Sequence, residues 1–132
     1  MTQGDVRQGN AAPDLAEATL WRRAKEDHSS AARENLFTLH LPFALRIARR
    51  HFRDRRSGDI DYDDLKQLAC AGLLESIDRF APDRGVPFRA YASRRIVGSI
   101  LDGVAKMSEV REQISYRNRV AAERIRSLSA AD

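Results

Sequence analysis

DYDDLKQLACAGLLESIDRFAPDRGVPFRAYASRRIVGSILD, residues 61–102, decides the fold. Leu65, Leu68, Ala69, Gly72, Leu73, Ile77 and Phe80 recur at helical spacing, so residues 62–80 are expected to form one helix with a broad apolar face. Asp61 is placed to accept the free amides of its first turn, and Asp63 and Asp64 face the positive end of the helix dipole. Gly72 weakens a helix, and one reason to hold it there is close packing. The opposite side carries Asp64, Gln67, Cys70, Ala71, Leu74 and Asp78. A leucine ringed by such groups is either an ordinary exposed side chain or the centre of a partner-binding patch.

APDRG, residues 81–85, follows as a tight turn in which Pro82 fixes one dihedral and Gly85 supplies a conformation closed to other residues. A second, basic helix is expected from about Ala90 to Val104. It buries Ile96, Ile100, Leu101 and Val104 and shows Arg94, Arg95, Ser99 and Asp102. Phe88 is assigned to the core. Tyr91, beside Arg94 and Arg95, is a candidate platform for a stacked base, since aromatic stacking and nearby arginines together hold single-stranded nucleic acid.

Upstream, Pro13 and Asp14 open a helix on which Leu15, Ala18, Trp21 and Ala24 share a face. Trp21 lies among alanines there, which favours a core anchor over a base-stacking surface. Residues 27–30 are a polar break able to cap the next helix. In that helix Leu36, Leu39, Phe43 and Ile47 form one stripe, with a kink or break expected at Leu41 because Pro42 removes a donor and crowds the preceding turn. Ile47, Ala48 and Phe52 then point inward, Arg46, Arg49, Arg50 and Arg53 point outward, and Gly58 ends the helix. Downstream of Met107, an apolar stripe of Val110, Ile114, Ala121, Ile125 and Leu128 needs something to cover it. It can fold back, meet a partner or stay loose until bound.

The chain thus reads as all-α: a disordered tail over residues 1–12, a compact helical bundle over 13–105 and a helical extension over 106–132. A length of 132 residues with 42% hydrophobic side chains suits one such domain. The formal charge is +4, and six arginines fall between Arg46 and Arg56, so the excess matters if they cluster in space. The single Cys70 excludes an internal disulfide and reads as a small helix residue. His40 and His51 read as surface or boundary residues, because neither has a second ligand at a metal spacing. Asp59, Asp61 and Asp63 alternate as in a calcium loop, but Asp64 stands where the turn glycine belongs and Cys70 where the closing glutamate belongs. No cofactor is expected, and no nucleophile, base and orienter set or phosphate loop points to an enzyme. No apolar run is long enough to span a membrane and the first ten residues contain no signal-peptide core, so a cytoplasmic protein without membrane contact is expected.

The quoted stretch resembles the central conserved region of bacterial RNA polymerase sigma factors of the sigma-70 family, above all the flagellar type. The shared pattern is D-D-L-x-Q at Asp63, G-L-L-E at Gly72, R-F-x-P-x-R-G-V-x-F-x-x-Y-A from Arg79 and I-x-G-x-I-L-D from Ile96. The likeness extends upstream to the Trp21 helix and covers roughly residues 14–105. It implies a helical domain that docks on the coiled coil of the largest catalytic subunit of core RNA polymerase and melts the promoter element nearest the start site. By that resemblance Asp64, Gln67, Cys70 and Leu74 match polymerase-docking positions. Arg84, Tyr91, Arg94 and Arg95 match positions that hold the unpaired non-template strand of promoter DNA, with Tyr91 stacked on a flipped adenine and Phe88 bracing it from the core side.

The chain departs from the family's housekeeping members, which carry a tryptophan pair where Arg94 and Arg95 stand, a lack that flagellar-type members share. Val86 stands where an aromatic often lines the base pocket, and Leu68 and Ala69 replace a small or polar residue and a glycine. Family members continue into a linker domain and a helix-turn-helix, whereas this sequence stops at Asp132. The alternative expectation is therefore a truncated regulator that competes for core polymerase or forms one half of a two-protein sigma factor. An anti-sigma factor or a second sigma-like subunit is then the candidate partner.

Overall fold

A computed structural model describes residues 15–55 and 60–130; the expected tail over 1–12, the Pro13 and Asp14 helix start, the Gly58 stop and Asp59 lie outside the described residues. Among the described residues there are four helices, α1 Leu15–Glu26, α2 Ser30–Asp54, α3 Tyr62–Arg79 and α4 Phe88–Ala130, and one 3-10 turn at Pro82–Arg84. No strand occurs among the described residues.

The polar break expected after α1 is a cap. His28 adopts the left-handed region at φ 53°, the Ser29 amide returns to the Arg23 carbonyl at 3.1 Å, and the Ser29 hydroxyl accepts from the Ala32 amide. Asp61 caps α3 reciprocally: its carboxylate accepts from the Asp64 amide at 3.0 Å, while Asp64 accepts from the Asp61 amide at 3.3 Å. At the far end of α3, Lys25 reaches across from α1 and donates to the carbonyls of Ile77 and Asp78 at 2.7 and 2.8 Å. A cation there satisfies carbonyls that the helix leaves without partners.

α3 is the central helix, packed between α2 and α4, with α1 laid on α2. Its buried residues are Leu65, Ala69, Gly72, Leu73, Ser76 and Ile77, and Leu68 is partly buried at the α4 side. The expected close packing at Gly72 is real. A methyl group there would stand 2.9 Å from the Ile96 Cα and the Ser99 Cβ of α4, so only glycine lets the two backbones approach this far. Ser99 fastens the same crossing by donating to the Leu68 carbonyl at 2.8 Å.

Several expectations about faces are corrected. The buried series on α2 is Ala32, Leu36, His40, Ala44 and Ala48. Leu39 and Phe52 are exposed, at 44% and 42%. The strict four-residue spacing of that series, with two alanines in its second half, allows α3 to approach and rotates Leu39 toward solvent. Helix α2 also runs through Pro42 without a break at Leu41, the site of the expected kink or short break. Pro42 is exposed, and Leu36, His40, Ala44 and Ala48 are buried on both sides of it, so packing outweighs one lost hydrogen bond. In α4 the buried series is Phe88, Ala92, Ile96 and Ile100. Leu101, one position on and about 100° around the helix, is 55% exposed, whereas Val104 packs on the core as expected. The helix expected to end near Val104 continues to Ala130.

Candidate functional site

Two surfaces gather the residues singled out in the sequence. On α3, Asp64, Gln67, Cys70 and Leu74 fall within one angular sector facing away from the core, with Gln67 exposed and the other three half-buried. Asp64 is held in place by the capping box. Burial pushes the Cys70 thiol up, against a smaller opposing pull from Lys66, so the side chain behaves as a small neutral group. Lys66 itself is engaged, 3.0 Å from Asp63 and 4.9 Å from the Tyr62 ring centroid. Asp78, at the end of the same face, accepts from Arg33 Nε and Nη2 at 2.7 and 2.8 Å, which ties α3 to α2.

The second surface forms where the tight turn feeds α4. Gly85 takes φ 77°, as its place in the turn requires, and Arg84 is exposed on the preceding 3-10 turn. The chain then enters α4 beneath an aromatic cluster. Phe88 is 7% exposed and lies 5.0 Å from Trp21, 4.6 Å from His40 and 5.2 Å from Phe80 between ring centroids. Trp21 is likewise buried, in agreement with its reading as a core anchor. The ring set against Tyr91 is Phe80, at 5.4 Å, so the expected brace by Phe88 is indirect and passes through Phe80. Tyr91 is half-buried, and the Arg95 guanidinium sits 5.1 Å above its ring while reaching Glu75 at 3.5 Å. Arg94 is exposed. Arg84, Tyr91, Arg94 and Arg95 thus belong to one end of the molecule, and Phe88 lies inside it.

Beneath this end runs a polar network that spacing along the sequence does not announce. His40, expected at the surface or its boundary, is 3% exposed. Its Nε2 lies 2.9 Å from Glu17 Oε2, and its Nδ1 accepts from Arg89 Nε at 3.4 Å, which assigns the ring proton to Nε2. The Trp21 indole donates to the same Glu17 oxygen at 3.1 Å. Burial raises the Glu17 carboxyl, but the hydrogen bonds from His40 and Trp21 outweigh it and hold the group below its ordinary value. The network locks α1, α2 and the start of α4 together. Glu17 and Trp21, one turn apart, are the only part of it visible as spacing; the His40 contacts span 23 and 49 residues. Among the described residues, no group of three or more His, Cys, Asp or Glu side chains is gathered to hold a metal ion. No helix among them is long and apolar enough to cross a membrane.

Residues 36–109, which include α3, the turn and the first half of α4, match the protein family described as Sigma-70 region 2. The chain belongs to that family. Among curated proteins, this region 2 chain is 30% identical over 111 residues to the RNA polymerase sigma factor FliA of Pseudomonas aeruginosa, a match covering 84% of the chain and 43% of the relative. It is 34% identical over 88 residues to the RNA polymerase sigma-D factor of Bacillus subtilis, covering 66% of the chain and 34% of the relative. It is 33% identical over 96 residues to a putative RNA polymerase sigma-G factor of Bacillus thuringiensis, covering 73% and 74% respectively. The region 2 chain spans less than half the length of the first two of these relatives. No solved structure matches it at a significant level.

Proposed function

We propose that this chain acts in transcription initiation as a sigma factor: α3 docks on core RNA polymerase, and the Tyr91 end of α4 captures the unpaired non-template strand of the promoter. The observation that carries the reading is the separation of two surfaces of different chemistry on one family-specific scaffold. One is the Asp64, Gln67, Cys70 and Leu74 face, with a half-buried leucine among polar groups. The other is an accessible tyrosine edged by Arg84, Arg94 and Arg95 over a rigid aromatic base. A base stacked on Tyr91 displaces the Arg95 guanidinium, which is then free to meet a phosphate. The Glu17, His40 and Arg89 network holds the aromatic base still beneath that exchange.

The test is a pair of substitutions assayed on the full chain with purified core polymerase. Leu74→Arg should abolish core binding, since it places a charge at the centre of an apolar contact. Tyr91→Ala should leave core binding intact and weaken opening of a forked promoter template by about tenfold, the loss of one stacked base. Open-complex formation that ignored Tyr91→Ala would refute the strand-capture role.

A second reading is favoured by the exposure of Val110, Ile114, Ile125 and Leu128 on α4, each more than half exposed. In it the far half of α4 receives a second sigma-like subunit, and the pair initiates together. Ile114→Asp with Ile125→Asp should then abolish promoter-specific transcription without weakening core binding, whereas unchanged transcription removes this reading.

A further inference from the structure

Some cations of the folded body have a carboxylate partner among the described residues and others, Arg22, Arg23, Arg84 and Arg94 among them, do not; four of the latter kind stand together on α2. Arg33, Lys66, Arg79 and Arg95 each have a carboxylate within 4 Å, on Asp78, Asp63 or Glu75. Arg46, Arg49, Arg50 and Arg53, on the second half of α2, are exposed and have no carboxylate partner among the described residues. Arg49 and Arg50 lie one turn from Arg46, and Arg53 one turn from both, so like charges face one another along the helix and oppose it; Asp54, four residues after Arg50, is the one carboxylate at that spacing. The helix dipole accounts for only part of it, because His51 and Arg53 occupy the last turn while Arg46, Arg49 and Arg50 precede it. Arg89 adds to the concentration from α4. Its guanidinium is held below its ordinary value first by burial and then by the nearby positive charge of Arg46.

We infer that the Arg46, Arg49, Arg50 and Arg53 face of α2 binds the phosphate backbone of duplex DNA, as a contact separate from the Tyr91 end. The proposal rests on the sigma-factor reading only for its choice of ligand; the unpaired arginine array stands without it. Duplex rather than single-stranded DNA is indicated because both rings beside the arginines already have partners, Phe43 half-buried and Phe52 42% exposed. Phe43 lies under the Arg89 guanidinium at 5.1 Å, and Phe52 leans on Tyr62 at 5.6 Å. Proteins that hold single strands use stacking platforms, whereas a duplex offers its phosphates without exposing base faces. The array extends about 10 Å along α2, and a duplex carries a charge every ~1.7 Å of its axis, so several phosphates lie within its reach.

The test is a fluorescence titration of the full chain against a labelled duplex and a labelled single strand over a series of salt concentrations. The variant replaces all four residues, Arg46→Gln, Arg49→Gln, Arg50→Gln and Arg53→Gln. Duplex affinity at low salt should fall by at least about tenfold, and the slope of log affinity on log salt should shrink by about 3.6, near 0.9 for each phosphate no longer neutralised. Single-strand affinity should change by less than about threefold, and the melting temperature should hold or rise as like charges are removed. Unchanged duplex affinity and slope would overturn the proposal, as would equal losses on both forms of DNA. Loss of core polymerase binding with duplex affinity intact would also overturn it and make the face a protein contact. If the fourfold variant fails to fold, Arg49→Gln and Arg50→Gln singly should each reduce the slope by about 1. Tyr91→Ala separates the two readings: it should weaken the single strand and spare the duplex, so either contact can fail without the other.

Discussion

The two halves of α4 are one helix held by different physics. Its first half buries Phe88, Ala92, Ile96 and Ile100 at four-residue intervals against α3 and α2, with Met107 the last side chain packed on the core. From residue 109 to 130 every position is exposed except the partly covered Val120. Among the described residues, no ion pair ties that far half to another helix. Helicity in the near half is therefore enforced by burial, whereas in the far half it depends on intrinsic propensity over many turns. The difference teaches that stability and projection have been divided along a single element.

The contrast breaks if truncations cost the same in both halves. Ile96→Ala, at a position with no exposure, should destabilise the chain by about 2 to 5 kcal/mol in denaturant unfolding, because little can collapse into the space between α3 and α4. Gly72→Ala should cost about 1 to 3 kcal/mol despite its better helix propensity, since the atoms it meets include the α4 backbone. Acid titration should sharpen the picture at the surface of the folded body on which the near half packs, where Arg33 and Asp78 join α2 to α3. Arg33 holds the Asp78 carboxyl below its ordinary range, so this pair's contribution is complete above the unfolded value near pH ~4 and disappears as pH falls through the folded value. Asp78→Asn should therefore lower stability at neutral pH by less than about 1 kcal/mol, and the two proteins should converge in more acidic solution. The smallest effect belongs to the far half: Ile125→Ala should shift stability by less than about 0.5 kcal/mol, and amides from 109 to 130 should exchange well before those from 92 to 100.

Much of the folded body from Asp61 to the near half of α4 is legible in sequence because its signals are local. The Asp61 cap, the Gly85 turn, the α3 apolar face and the tight packing at Gly72 all follow from residues a few positions apart. The quoted stretch, residues 61–102, also lies within residues 36–109 that match the family, whereas the part of the expected likeness before residue 36 lies outside that match. The departures share a physical cause. Burial of His40 depends on Glu17 and Arg89, which the fold alone brings to it, and nothing in LFTLHLPFAL announces that encounter. Leu39, Phe52 and Leu101 lie at the margins of apolar stripes, where a rotation of some tens of degrees separates core from solvent, and that rotation is set by the neighbouring helix. Pro42 carries a local cost, yet the packing on both sides of it prevails. The α3 and Tyr91 surfaces can be outlined from spacing, but the simultaneous contact of Arg95 with Glu75 and the Tyr91 ring requires α3 and α4 in position.

The unbroken course of α4 makes it a ruler with a phase. Tyr91 and Ile125 lie on the same helix, about 50 Å apart at 1.5 Å per residue, roughly the length of fifteen base pairs. A partner gripping the far end is set at a defined distance from the tyrosine and also at a defined angle around the rod. One residue inserted near Ala105 would lengthen the rod by only about 1.5 Å but turn that partner by about 100°. Spacing in this molecule is thus more sensitive to rotation than to reach, and an insertion of a whole turn should be tolerated better than one of a single residue.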